Sequence, residues 1–108
     1  MATQKEVKNY RVNVAAHPDG FNEWRAMISL YDENGASFGT IHFTDDLSGR
    51  DNEINLTGHS TIWAPLDAYH RILDLLRNEK PIFLWLYETG RALISTSLEP
   101  VGEEESSF

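Results

Sequence analysis

The chain contains no cysteine. That excludes a disulfide framework, a thiol nucleophile and any zinc or iron–sulfur centre built on thiolates. Long apolar runs are missing as well. Nothing approaches the roughly 18 consecutive apolar residues of a membrane-spanning helix, and the opening MATQKEVKNYR has none of the apolar core of a secretion signal. A cytoplasmic protein is therefore expected. Positive charge is scarce: Lys and Arg total 9 against 17 Asp and Glu, a formal net charge of −8. Four of the acids, Glu99, Glu103, Glu104 and Glu105, crowd the last ten residues, and without them the balance is −4. An acidic body disfavours avid, non-specific binding of nucleic acid, which needs a basic footprint. The sequence has no G-x-S-x-G elbow, no Walker loop and no dinucleotide fingerprint. Neither a cofactor nor a metal is expected.

What is present is a chain of 108 residues, 41% hydrophobic and 11% aromatic, enough for one packed domain. That domain is expected over residues 1–98, followed by an acidic tail over 99–108. Residues 1–6 read as a frayed end. From Tyr10 to His17, apolar Tyr10, Val12, Val14 and Ala16 alternate with polar positions, the pattern of a half-buried strand. His17-Pro18-Asp19-Gly20 is turn chemistry. In a second strand Trp24, Ala26, Ile28 and Leu30 share one face and Arg25, Met27, Ser29 and Tyr31 the other. Asn34-Gly35 marks a tight hairpin into a third strand, Ser37 to Thr44. A polar loop, Asp45 to Asn52, precedes an expected fourth strand, Glu53 to Ser60.

Leu66, Tyr69, Ile72, Leu73 and Leu76 recur at the helical period and predict a helix opened by Trp63-Ala64-Pro65, with Pro65 at the first helical position, and ended by Asn78 and Pro81. Asp67, His70, Arg71, Asp74 and Arg77 fill its outer side. The apolar run Ile82 to Tyr87 is too short for a helix and reads as a strand covered on both faces. A turn at Glu88–Arg91 returns it as a last strand, Ala92 to Leu98. The fold class expected is α+β: an antiparallel sheet, element order β-β-β-β-α-β-β, with one helix packed on one face.

Clusters that could carry chemistry are few. His42 and His59 fall on the more polar face of the third and expected fourth strands, but no third ligand stands at a fixed spacing, so surface residues are the expectation. Asp45, Asp46, Asp51 and Glu53 lack the alternate-position spacing of a calcium loop. Asp67, His70 and Asp74 resemble a base between two orienters, yet they sit on the outer helical side, where such groups are ordinary surface decoration. The second face of the sheet is more informative. It carries Arg11, Arg25, Met27, Tyr31, Phe38, His42 and His59, and an apolar triplet from Ile82–Tyr87 must join them. One helix cannot cover both faces of a six-stranded sheet. Met27, Phe83, Trp85, Tyr87 and Leu93 are accordingly the dimer-interface candidates.

Four antiparallel strands followed by a helix resemble, over about Tyr10 to Asn78, the architecture of the whirly, Pur-type and positive-cofactor-type single-stranded-DNA-binding regulators. The closing segment LLRNEKPIFLWLYETGRALISTSLEPVGEEE is similar to the ends of small, uncharacterised bacterial single-domain proteins. The first resemblance implies strand binding by basic and aromatic side chains of the sheet. Here Arg11, Arg25, Tyr31, Phe38, His42 and His59 are the candidates, against the direction of the net charge. The leading expectation is a non-enzymatic homodimer acting through protein–protein contacts. A weak single-stranded nucleic-acid binder comes second, and a small-molecule enzyme or binding protein with a pocket between sheet and helix third.

Overall fold

A computed structural model describes residues 2–17, 24–98 and 101. The fold is α+β, with seven strands and a single α-helix among the described residues. The strands are β1 (Ala2–Val7), β2 (Asn9–Val14), β3 (Ala26–Tyr31), β4 (Ser37–Thr44), β5 (Ser60–Pro65), β6 (Ile82–Tyr87) and β7 (Ala92–Thr96). A 3₁₀ turn at Leu66–Ala68 leads into α1 (Tyr69–Asn78). The strands form two sheets, one of three strands in the order β1-β6-β7 and one of four in the order β2-β3-β4-β5.

The best-read elements are those that local chemistry alone specifies. The β3–β4 hairpin turns at Gly35, whose φ of +81° suits glycine, and the Asp32 carboxylate accepts hydrogen bonds from the backbone N–H groups of Asn34 and Ala36. The β6–β7 turn likewise places Gly90 at φ +98°. The stripe read from the helical period faces inward: Leu66 in the 3₁₀ turn and Tyr69, Ile72, Leu73 and Leu76 in α1 pack half-buried against the core, and the Tyr69 ring meets Phe43 edge-on at 5.3 Å. Its outer side is exposed, with a loose Arg71–Asp67 pair at 4.0 Å and an Asn78 amide hydrogen-bonded to Asp74.

Four expectations are corrected. Residues 2–7 are not frayed; β1 pairs antiparallel along the whole of β6, from Ala2↔Tyr87 to Val7↔Ile82. The segment ATQKEV lacks an apolar alternation, so its order comes from its partner strand. β1 and β2 are separated by Lys8 alone, whose N–H donates to Tyr31 O, so the chain passes from one sheet into the other there.

The expected fourth strand, Glu53 to Ser60, does not form. Only Glu53 bridges, to Thr61, and Asn55–Gly58 is a turn in which the Asn55 side-chain oxygen accepts from the Thr57 N–H. Ile54 and Leu56 pack on the core without a ladder, which is why their alternation imitated a strand.

The strand that does form, β5, takes residues assigned to the helix start, and it runs parallel to β4. A parallel neighbour needs a crossover of a dozen residues or more, and residues 45–59 supply it.

Finally there is no single six-stranded sheet. The inner faces of the two sheets cover each other: Ile28, Leu30, Ile41 and Phe43 share one core with Leu84 and Leu86. Val14, expected in that core, is 63% exposed. Residues 18–20 of the expected turn lie outside the described residues, as does the tail apart from Val101. Leu98 is fully exposed, and the last strand ends at Thr96.

The sheets come close at Gly39. A Cβ there would stand 3.1 Å from Leu84 Cδ2, with Leu30 Cδ1 and Ser60 O at 3.9 Å. Leu84 is buried in the shared core, so it can make way only by shifting against its neighbours there. Gly39→Ala should therefore cost about 1–3 kcal/mol, lowering the midpoint of thermal unfolding by several degrees; circular dichroism melts of the two chains measure it.

Candidate functional site

The outer faces of the two sheets carry different chemistry. On the four-stranded sheet, the registers align Asn13, Met27, His42 and Trp63 in one row and Arg11, Ser29, Thr40 and Thr61 in the next. The His42 ring stacks on Trp63 with centroids 4.7 Å apart and lies 6.2 Å from Trp24. The Arg50 guanidinium stands over Trp63, 4.8 Å from the ring centre, a cation–π geometry. His59 Nε2 is 2.9 Å from Thr40 Oγ1. The structure brings His42, on β4, and His59, just before β5 and not on a strand, to one face. Among the described residues no three His, Asp or Glu side chains gather in a way that could hold a metal ion.

The other nucleic-acid candidates scatter. Phe38, which strict alternation puts beside Thr40 and His42, is 5% exposed and belongs to the core. The register slips between Leu30 and Tyr31, so Phe38 is skipped in the pairing and the alternation breaks there. The Lys5 ammonium lies 5.6 Å from its ring centre. Arg25 is turned to the Asp45 carboxylate at 2.8 Å. Arg11 and Tyr31 remain on the outer face, away from the ring cluster by one and two rows.

Trp24, Trp63 and Arg50 were missed. Alternation puts Trp24 on the face of Ala26, Ile28 and Leu30, but the chain bends at Arg25 and the Trp24 ring sits by His42. Trp63 had been given to the helix start because Pro65 suits a first helical position. The signal that could have found it was the turn chemistry of Asn55–Gly58 followed by the β-formers Thr61-Ile62-Trp63.

The outer face of the three-stranded sheet is simpler. Ile82, Leu84 and Leu86 point inward and are buried, so Phe83, Trp85 and Tyr87 form a half-exposed row on the central strand. Leu93 stands opposite Trp85 and is 46% exposed; Ser95 stands opposite Phe83 and accepts a hydrogen bond from the Trp85 indole N–H at 3.0 Å. Gln4 and Glu6 complete the face on β1. Four of the five dimer-interface candidates are thus neighbours. Met27 is not, because it lies on the outer face of the other sheet.

No protein-family model matches the chain, and no curated protein or solved structure is significantly similar to it. No helix among the described residues is long and apolar enough to cross a membrane.

Burial holds His42 below its ordinary imidazole value of 6.5, and the neighbouring charge of His59 adds to the effect. The folded chain then takes up this proton later than the unfolded chain. The stability tied to a neutral His42 is full above pH 6.5 and is lost as pH falls from there through the depressed folded value. His42→Gln should flatten that limb. Urea midpoints measured at pH 7.5 and 5.5 should differ less in the variant than in the wild type.

Proposed function

We propose that this chain is a non-enzymatic module that works as a homodimer through protein–protein contacts, with the outer face of the three-stranded sheet as its contact surface. The observation that carries this reading is the row Phe83, Trp85 and Tyr87, half-exposed on a central strand beside exposed Leu93. Aromatic side chains bury about 150–250 Å² each when fully covered. This row with its neighbours therefore offers several hundred Å² of apolar surface, the core of a modest interface. A contact of one face with its own copy is closed by a two-fold axis, the commonest arrangement of soluble oligomers. The Trp85–Ser95 hydrogen bond fits such a surface, since it satisfies the polar edge of the ring within the chain.

The decisive variant is Trp85→Glu. Trp85 lies on the outer face and not among the core residues, so the carboxylate leaves the fold intact. In a dimer it would be desolvated at the centre of the contact, a cost of several kcal/mol. Light scattering should give a dimer for the wild type at micromolar concentration and a folded monomer for the variant, with unchanged circular dichroism. A wild-type chain that stays monomeric at millimolar concentration removes the reading.

A second reading, a weak single-stranded nucleic-acid binder of the whirly and Pur-type kind, is favoured by one observation: Trp24, His42, Trp63 and Arg50 gather on the outer face of the four-stranded sheet. Bases stack on such rings without regard to sequence. A labelled oligonucleotide should then bind with a dissociation constant of order 10⁻⁵ M at best, more weakly as salt rises. Absence of binding at low salt sinks this reading and leaves the dimer untouched.

A further inference from the structure

We propose that the cleft between β5, α1 and β7 binds a small amphiphile, an unbranched alkyl chain ending in a carboxylate. β5 and β7 are the last strands of their sheets on the side opposite the β1–β2 crossing, and α1 lies in the opening between them. The helix does not fill it. A cleft of about 230 Å³ remains, floored by the buried side chains of Ile41 and Leu84. Ala64 on β5 and Ala92 on β7 line it on either side, both on the inner faces of their strands, where a larger side chain would occupy the space.

The polar inventory is short. The Asn52 amide lines the cleft, but its N–H₂ donates to Gly90 O at 2.9 Å and its oxygen accepts from the Trp63 N–H at 2.7 Å. It ties the β6–β7 turn to the edge of β5 and leaves an apolar interior. An apolar lining of this kind favours apolar matter over water. Arg71 is the only charged side chain among the described lining residues. Its pair with Asp67 is long, at 4.0 Å, and both side chains are largely in solvent. Such a pair is weak, so the guanidinium is available to an anionic head at the rim while the chain lies inside. The proposal does not depend on the dimer, and binding should persist in the Trp85→Glu monomer.

The probe is octanoate, titrated into the full chain and followed by tryptophan fluorescence, since Trp63 lines the cleft, and by the shift of Tm. One octanoate per chain should bind saturably, and hexanoate should bind more weakly, by about fourfold for each methylene lost from the cleft. Ala92→Leu should abolish binding while Tm holds or rises, because the added methylenes fill existing space. Arg71→Gln should weaken octanoate about two- to fivefold and leave octanol unchanged. The site is overturned by the absence of saturable binding at millimolar octanoate, by binding that survives Ala92→Leu, or by a fall in Tm in that variant, which would mean there was no free space. Octanoate and octanol responding alike to Arg71→Gln would overturn the carboxylate assignment.

Discussion

The inner face of β6 dictates the rest of the molecule. Ile82, Leu84 and Leu86 must leave water, and a ten-residue helix with a narrow apolar stripe cannot take them. The cover is the four-stranded sheet, whose own inner face has the same need. Two sheets that each expose one apolar face solve the problem together, provided their backbones come close enough. Gly39 meets that condition by presenting no side chain to Leu84. From this contact follow the shared core, the crossing of the chain between the sheets at Lys8, and the position of the helix at the open side. The ordering of β1 follows as well. Once β6 is held in place its edge needs a partner, and a polar segment serves because it contributes its backbone. Lys5, on the inward side of that strand, resolves the conflict by lying along Phe38 and reaching its ammonium to Gly58 O at 3.5 Å.

Much of this was legible where short-range chemistry decides. The Asn34-Gly35 hairpin, the bounds of β4, the helical stripe and the apolar strand Ile82–Tyr87 each follow from residues within one element. The long-range choices were not legible. Alternation in Ile54, Asn55, Leu56 and Thr57 reports burial on one side, and burial does not require a ladder; a turn lying on the core gives the same pattern. The parallel β4–β5 pair has no local signal beyond the length of the crossover. The division into two sheets depends on which strands share an edge, and the period-2 pattern is indifferent to that. At the candidate sites the same limit applied. The outer row of β6 could be named because alternation survives there, whereas Phe38 was misplaced by a slip of one residue in the register.

The division into two sheets also separates two chemistries that the sequence reading had combined on one face. The outer face of the three-stranded sheet is aromatic and nearly free of charge, the composition of a protein contact. The outer face of the four-stranded sheet holds rings, imidazoles and Arg50 in mutual contact. There the stacking of His42 on Trp63 and of Arg50 above it uses the ring faces within the chain. Buried Ser29, Thr40 and Thr44 beneath this layer indicate a closed surface more than an open platform. The proposed contact therefore rests on the first face.

The sheet edges argue in the same direction. An unpaired edge strand is the easiest place for two chains to join, and proteins that do not use it must block it. On β5 the block is explicit: Glu53 pairs with Thr61 through both backbone groups, and the Asn52 side chain takes the N–H of Trp63. These contacts occupy the donors and acceptors that an incoming strand would need. They also fix the crossover segment against the sheet, and through Gly90 they fix the β6–β7 turn, which carries Arg91 into β7. Asn52 and Glu53 together thus close this edge to pairing, and Asn52 ties β5 to the β6–β7 turn on the open side of the sheets. With that edge occupied, association through β5 would have to break existing hydrogen bonds, whereas association through the Phe83–Trp85–Tyr87 row breaks none.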